Sequence, residues 1–231
     1  MLLLSCVRKR GASTGVAPTI TYFYDAFTTG SNVILSSHTP NIGTAWVERE
    51  RTGAVFLRAN TTGFCIASGS TASIRSVFTA LPAISLGANH RVKATFHYNA
   101  IPSDVDNPFF LTARHQTGSP ETDSDLYGVG VWIAAGSPSA IFVELFKRIA
   151  GTVTSLGTAT IDQPANVAFL VELQVQGAAQ RVYIDDVLKI SAADAAISAA
   201  GAAGIAIGNL RTATDDTDTN WRIDDYTVQS L

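Results

Sequence analysis

Apolar and polar positions alternate with a period of two along much of this chain. Over residues 90–99, Val92, Ala94, Phe96 and Tyr98 fall on one side, and Arg91, Lys93, Thr95 and His97 on the other. This pattern marks an antiparallel strand with one face on a core and the other toward water. Residues 166–176 repeat it, with Phe169, Val171, Leu173 and Val175 set against Glu172, Gln174 and Gln176. Further strands are predicted over 20–27, 44–50, 53–59, 64–68, 73–80, 107–115, 126–135, 140–148, 152–161, 180–190, 203–209 and 219–229. Turn signals separate them: Thr52-Gly53, Thr62-Gly63, Gly118-Ser119-Pro120, Gly136-Ser137-Pro138, Gly151 and Gly177. The last strand changes phase, because Trp221 and Ile223 share one parity while Tyr226 and Val228 take the other. A bulge near Asp224-Asp225 would bring all four to the core.

About fourteen short strands that do not alternate with helices predict an all-β fold, an antiparallel two-sheet β-sandwich of the jelly-roll kind. The one helix-like stretch is 192–200, with Asp194 as its cap and Gly201 at its end. Residues 1–19 show no periodicity and are expected to form an extended N-terminal arm, with a single domain over 20–231. Composition agrees. Charged residues are 15% of the 231, against about 25% in an ordinary domain. Glu and Lys together number nine, too few to line the solvent faces of long helices.

The net charge of −3 excludes a broad basic footprint, so nucleic acid is not an expected partner. Charge is unevenly spread: Arg8, Lys9 and Arg10 stand near the start, and residues 211–231 hold five Asp and two Arg. Two cysteines, Cys6 and Cys65, do not make a disulfide scaffold, and folding in the cytoplasm is expected. No run approaches 18 apolar residues, so no membrane-spanning helix is expected. Leu2, Leu3 and Leu4 are too short a run for the core of a signal peptide. Asn60-Thr61-Thr62 is a glycosylation sequon that matters only in a secretory compartment.

Candidate chemistry is sparse. Glu48 and Glu50 lie two apart and are expected on one face of a strand, the geometry a pair of glycosidase carboxyls would need. Arg49 and Arg51 flank them with no third acid in register, so charges on an outer sheet face are the expected reading. Asp104 with Asp106, and Asp215, Asp216 and Asp218, lack the spacing of a calcium loop. His38, His90, His97 and His115 lack zinc-ligand spacing and read as surface or strand residues. No Gly-x-Ser-x-Gly elbow occurs. Cys65 reads as a buried thiol, and Gly128-Val129-Gly130 as a strand fragment without a phosphate loop's helix. Trp46, Trp132 and Trp221 each sit within a strand, where a core position is expected. No catalytic residue, metal or cofactor is expected.

Three stretches resemble the concanavalin A-like (laminin-G-like) jelly-roll superfamily. Asp25-Ala26-Phe27 with Gly30, His38-Thr39-Pro40-Asn41-Ile42-Gly43 and Trp46 is similar to the opening of many bacteriophage virion proteins of this class. Residues 181–188 resemble the family's strand-turn-strand hairpin, with Asp186 where glycine is usual. Ala203-Gly204-Ile205, followed by Ile223-Asp224-Asp225-Tyr226-Thr227-Val228, resembles its closing strands. The resemblance implies that the first strand lies beside the last. The glycosidase branch carries a Glu-x-Asp-x-x-Glu strand that is absent here, and the calcium ligands of the lectin branches have no counterpart. The virion branch is what remains, by analogy of fold.

The expected function is therefore a non-enzymatic virion structural protein, assembled in the host cytoplasm. It would be a capsid decoration (cement) protein or a tail-associated module. Its expected partners are neighbouring subunits (the major capsid or a tail protein) and other copies of itself as a homo-oligomer, with no membrane. The alternative is a carbohydrate-binding, lectin-like module for host-surface glycans; a glycoside hydrolase comes last. The expected contact residues are Leu2, Leu3, Leu4, Arg8, Lys9 and Arg10. Each leucine gains about 1.5–3 kcal/mol on full burial. Ordering the arm costs about 1–2 kcal/mol per residue, so the basic residues or strand pairing must add to the leucines.

Overall fold

The computed structural model describes residues 19–52, 56–68, 75–81, 86–98, 109–116, 124–133, 140–208 and 221–231. The proposed contact residues Leu2, Leu3, Leu4, Arg8, Lys9 and Arg10 lie outside this set, as do Cys6, Asp104, Asp106, Asp215, Asp216 and Asp218. The described chain forms sixteen strands. They are β1 (Thr21–Asp25), β2 (Val33–Ile34), β3 (Ala45–Thr52), β4 (Phe56–Ala59), β5 (Cys65–Ser68), β6 (Arg75–Leu81), β7 (His90–Tyr98) and β8 (Phe109–His115). The second half contributes β9 (Leu126–Ile133), β10 (Ala140–Ile149), β11 (Thr152–Asp162), β12 (Phe169–Gln176), β13 (Ala179–Ile184), β14 (Val187–Ala193), β15 (Ala202–Gly208) and β16 (Trp221–Ser230).

Two antiparallel sheets result. The nine-stranded sheet runs β14-β13-β12-β7-β16-β5-β4-β2, with β1 also paired to β16, and the seven-stranded sheet runs β11-β10-β9-β8-β15-β6-β3. Their inner faces share one core. Phe23 of β1 and Tyr226 of β16 meet Trp46 of the opposite sheet, each at a ring-centroid distance of 4.9–5.9 Å across the trio. Phe96, Tyr98, Phe169 and Trp221 form a second aromatic group in the same core. Each such side chain gains about 1.5–3 kcal/mol on burial, and edge-to-face pairing adds a little more.

The alternation in β7 is as the sequence predicts: every odd position is half-buried and every even one buried. The first strand lies beside the last, Phe23 opposite Val228 and Asp25 opposite Tyr226. The expected bulge is present. The β16–β7 register shifts between Asp224 and Thr227, Asp225 takes a φ of 49°, and Trp221, Ile223, Tyr226 and Val228 are all buried.

Two expectations need correction. The predicted strand over 180–190 is the hairpin β13–β14, turned by Asp185-Asp186 alone, with Ile184 opposite Val187. Both aspartates sit in the left-handed region, φ 47° and 63°, as a two-residue hairpin of the tightest type requires. Aspartate tolerates that region better than most residues. Here the turn is also held from outside, because the Asp185 N–H donates to the Leu170 carbonyl and its Oδ1 accepts the Leu170 N–H at 2.8 Å. The second correction is 192–200, which is not helical: β14 runs to Ala193 and an irregular segment follows. Asp194 does accept the Ala196 N–H, as a cap would, at 2.9 Å. Its other bonds go to Tyr127, Lys147 and Gln180, and Ile197 is buried with its N–H on Tyr127 Oη. Nine residues cannot hold a helix against that many tertiary ties. The single 3-10 turn among the described residues is Leu35–Ser37.

Candidate functional site

The residues that carry the resemblance at the start of the chain form a buried polar knot. Asp25 closes β1 with its side chain wholly out of water. Its Oδ1 accepts the Phe27 N–H at 2.7 Å and lies 2.9 Å from His38 Nε2, and its Oδ2 accepts the Trp46 indole N–H at 2.5 Å. Asn41 Oδ1 accepts the Ala26 N–H, and Ile42 bridges to Tyr24. Buried carboxylates persist only when their oxygens are satisfied in this way. Three donors from separate segments bind one carboxylate and tie β1 to the edge strand of the other sheet. This is a structural device, and it leaves the carboxylate no oxygen open to a ligand.

The outward face of the seven-stranded sheet has a different character. Register partners share a face, so the ladders assign Val77, Phe110, Thr112, Gly128, Gly130, Trp132, Phe142, Glu144, Phe146 and Ala206 to it. Val77, Phe110, Leu126, Phe146 and Ala206 form a second apolar cluster there, separate from the core. Gly128 and Gly130 are seats for rings. A Cβ on Gly128 would lie 2.4 Å from Phe146 Cζ, and one on Gly130 2.7 Å from Phe110 Cε1 and 3.0 Å from Trp132 Cζ3. Glycine within a strand commonly marks such a close approach. Beyond these rings, Trp132 and Phe142 are register partners with centroids 4.8 Å apart. Both are half-buried, so one side of the pair meets solvent. Glu144 is next on the same face, and exposed Thr158 and Thr160 of β11 continue its rows.

A buried ion pair spans this face. Glu48 pairs in register with Phe78 of the core, but Glu50 pairs with Val77 of the outward cluster, because a bulge intervenes. Glu48 and Glu50 therefore do not share a face, and the expected carboxyl pair is not assembled. Both oxygens of Glu50, which is 2% exposed, are taken by the Arg148 guanidinium: Nη1 donates to Oε2 at 3.0 Å and Nη2 to Oε1. Arg148 Nε donates to the Ser124 carbonyl, and His115 Nε2 lies 3.8 Å from Glu50 Oε1. Burial by itself would raise the Glu50 pKa. His115, the Arg148 guanidinium and Ser124 outweigh it and hold the carboxyl at about 2. Glu50 stands on β3 and Arg148 on β10, five steps apart in the sheet. On a flat sheet those steps of about 4.8 Å would separate the two strands by about 24 Å, beyond the combined reach of the side chains. The sheet must curl toward this face, and the pair staples its two sides together over the second apolar cluster.

The remaining sequence candidates resolve as follows. Trp46 and Trp221 are core residues, as expected, whereas Trp132 is not. The signal was present in the sequence: Gly128, Gly130 and Trp132 share a parity, opposite to Val129, Val131 and Ile133. His90, His97 and His115 lie in strands, as expected, whereas His38 lies outside the strands and is buried, as are His90 and His115. His90 Nδ1 donates to the Gly87 carbonyl at 2.9 Å, and burial pushes its pKa down to about 4. Cys65 is a free thiol in the core, pushed up by burial. Asn60 Oδ1 accepts the Thr62 and Phe64 N–H groups within the β4–β5 turn. Among the described residues, no group of three or more His, Cys, Asp or Glu side chains is placed to hold a metal ion.

These two antiparallel sheets packed on one core make a β-sandwich similar in fold to galectin-like, concanavalin A-like jelly rolls. No protein-family model matches the chain, and no curated relative matches it. Solved structures do. The carbohydrate-binding module CBM66 from Bacillus subtilis superposes with a TM-score of 0.52 at 18% identity, covering 82% of this chain and 98% of that one. The carbohydrate recognition domain of Emp46p gives 0.55 at 8% identity, with 79% and 87% covered. A structure from work on endo-acting O-glycanases of the human gut microbiota gives 0.59 at 9% identity, with 92% and 100% covered. None of these three is described as a virion protein, and at such identities the likeness carries the fold alone.

Proposed function

We propose that the protein is a carbohydrate-binding module that works through the outward face of its seven-stranded sheet. The observation that carries this is the half-exposed Trp132–Phe142 pair, fixed on a rigid sheet beside Glu144, Thr158 and Thr160. An aromatic face stacks on the apolar face of a sugar ring, while neighbouring hydroxyl and carboxylate groups take its hydroxyls. Two of the structurally similar proteins are described as carbohydrate-binding, which supports this reading over a purely structural virion role.

The module is proposed to be non-catalytic. A glycosidase needs one carboxyl with a raised pKa within reach of a second. Glu50 is held low by His115 and Arg148, and Glu48 lies on the opposite face. The resemblance of residues 25–46 and 181–188 to virion modules supports a setting on a phage particle, where glycan binding would serve adhesion to a host surface.

A glycan array with and without calcium, followed by titration of the best ligand, tests the proposal. Trp132→Ala should weaken binding at least tenfold, a loss of about 1.4 kcal/mol, without changing the melting curve. Binding that survives Trp132→Ala and Phe142→Ala together would refute the assignment of this face. Cleavage of a bound oligosaccharide would refute the non-catalytic reading.

A further inference from the structure

The other sheet presents a face of opposite character. In the nine-stranded sheet the ladders place Arg181, Gln174, Arg91 and Gln229 in one transverse row, and Tyr183, Glu172, Lys93 and Thr227 in the next. A further row holds His97, Arg222, Ile66 and Arg58. All belong to the parity opposite to the core residues Val92, Phe96, Leu173 and Val182, so all point outward. Arg58, Arg91, Lys93, Arg181 and Arg222 stand there against Glu172, Asp224 and Asp225, an excess of two positive charges on a protein whose net charge is −3.

The acids are already engaged. Glu172, only 4% exposed, is held by Lys93 Nζ at 2.6 Å and Gln174 Nε2 at 2.5 Å, with Arg91 Nη1 at 3.9 Å. Asp225 Oδ1 accepts the Tyr24 hydroxyl, and Asp224 Oδ1 accepts the Asp225 N–H. The donors are not all satisfied. Arg91 Nε and Arg222 Nε are shielded from water and have no hydrogen-bond partner among the described residues. Arg222 lies over the Phe64 ring at 4.8 Å, and Phe64 meets His97 edge-on at 5.0 Å. The ring fixes the guanidinium plane without using its N–H groups. In the first and third rows two arginines stand two strands apart, Arg181 from Arg91 and Arg222 from Arg58, a separation of about 10 Å, comparable with one disaccharide repeat of an extended polysaccharide.

We propose that this face docks a polyanionic polysaccharide, carrying sulfate or carboxylate groups, whose charges meet Arg91, Arg181 and Arg222. It is a second surface, independent of Trp132 and on the opposite side of the sandwich. Sulfate and carboxylate oxygens accept from guanidinium forks, while a neutral glycan would leave the row of arginines unanswered.

The probe is dextran sulfate immobilised on a sensor surface, with unsulfated dextran and duplex DNA as comparisons, over a series of salt concentrations. The intact protein should bind dextran sulfate and not dextran, with log affinity falling linearly against log salt. Arg91→Gln with Arg222→Gln should reduce the magnitude of that slope by about two, one per contact removed. Arg91→Lys with Arg222→Lys should keep most of the slope, and Trp132→Ala should leave it unchanged. Unaltered melting of each variant confirms that the fold is intact. No binding to dextran sulfate at low salt, or a slope indifferent to both arginines, would overturn the proposal. Tighter binding to DNA than to dextran sulfate would overturn the choice of a glycan. Because Trp132→Ala separates the two faces, failure here is distinguishable from failure of the module reading.

Discussion

Replacing Glu50 by Gln isolates the staple across the seven-stranded sheet. The carboxyl is held at about 2, against an ordinary value of 4.5. A difference of about 2.5 units at about 1.36 kcal/mol each corresponds to roughly 3 kcal/mol of stability, as an order of magnitude. Because the folded value lies below the unfolded one, this contribution is complete above about pH 4.5 and is lost as the pH falls toward 2. Glu50→Gln also leaves the Arg148 guanidinium buried without a counter-charge, and breaking such a pair from one side costs about 3–5 kcal/mol. At neutral pH the variant should therefore unfold at a temperature lower by roughly 6–20 °C, taking about 2–4 °C per kcal/mol for a domain of this size. The assay is thermal unfolding from pH 7 to pH 2, intact protein and variant side by side. The gap between the two curves should close progressively below pH 4.5. Glu50→Gln with Arg148→Met should recover much of the loss, because two buried charges are replaced by uncharged groups of similar length. A variant as stable as the parent at pH 7, or a gap that stays constant down to pH 2, would refute the reasoning that this pair is buried and holds the sheet's two sides together.

Two further substitutions test the packing directly. Asp25→Ala removes the acceptor shared by Phe27, His38 and Trp46 and should lower stability by at least about 3 kcal/mol, read as a shift in the urea midpoint; Asp25→Asn should do less harm, since one oxygen remains. Gly128→Ala drives a methyl into the Phe146 ring and should cost about 1–3 kcal/mol, with Phe146→Leu in the same chain restoring part of it, both measured by chemical unfolding.

Much of the fold was legible along the chain because alternation is a local property. The parity of Val92, Ala94, Phe96 and Tyr98 settles which side of β7 is buried, whatever lies opposite. The phase change around Asp224-Asp225 shows in the sequence because large apolar residues stand on both sides of it. The bulge between Glu48 and Glu50 leaves no such mark, since the residues around it are charged. Periodicity counts parity and cannot register an inserted residue among polar ones, so both acids read as one outer face. The Ala-rich stretch at 192–200 reads as helical by local propensity, but Asp194 and Ile197 are committed to Tyr127, about seventy positions away. The candidate site was hidden for a related reason. Alternation places Trp132 on one side of β9, yet only the packed sheets show that this side is the outward one, with glycine seats beneath the rings. Glu50 meets Arg148 across 98 positions of sequence and five strands of sheet. The sequence by itself determined strands, faces and a two-sheet sandwich, because those follow from neighbours two residues apart. The curl that joins the edges of a sheet, and the burial it imposes on a charge, arise from side chains that meet only once the whole chain has folded.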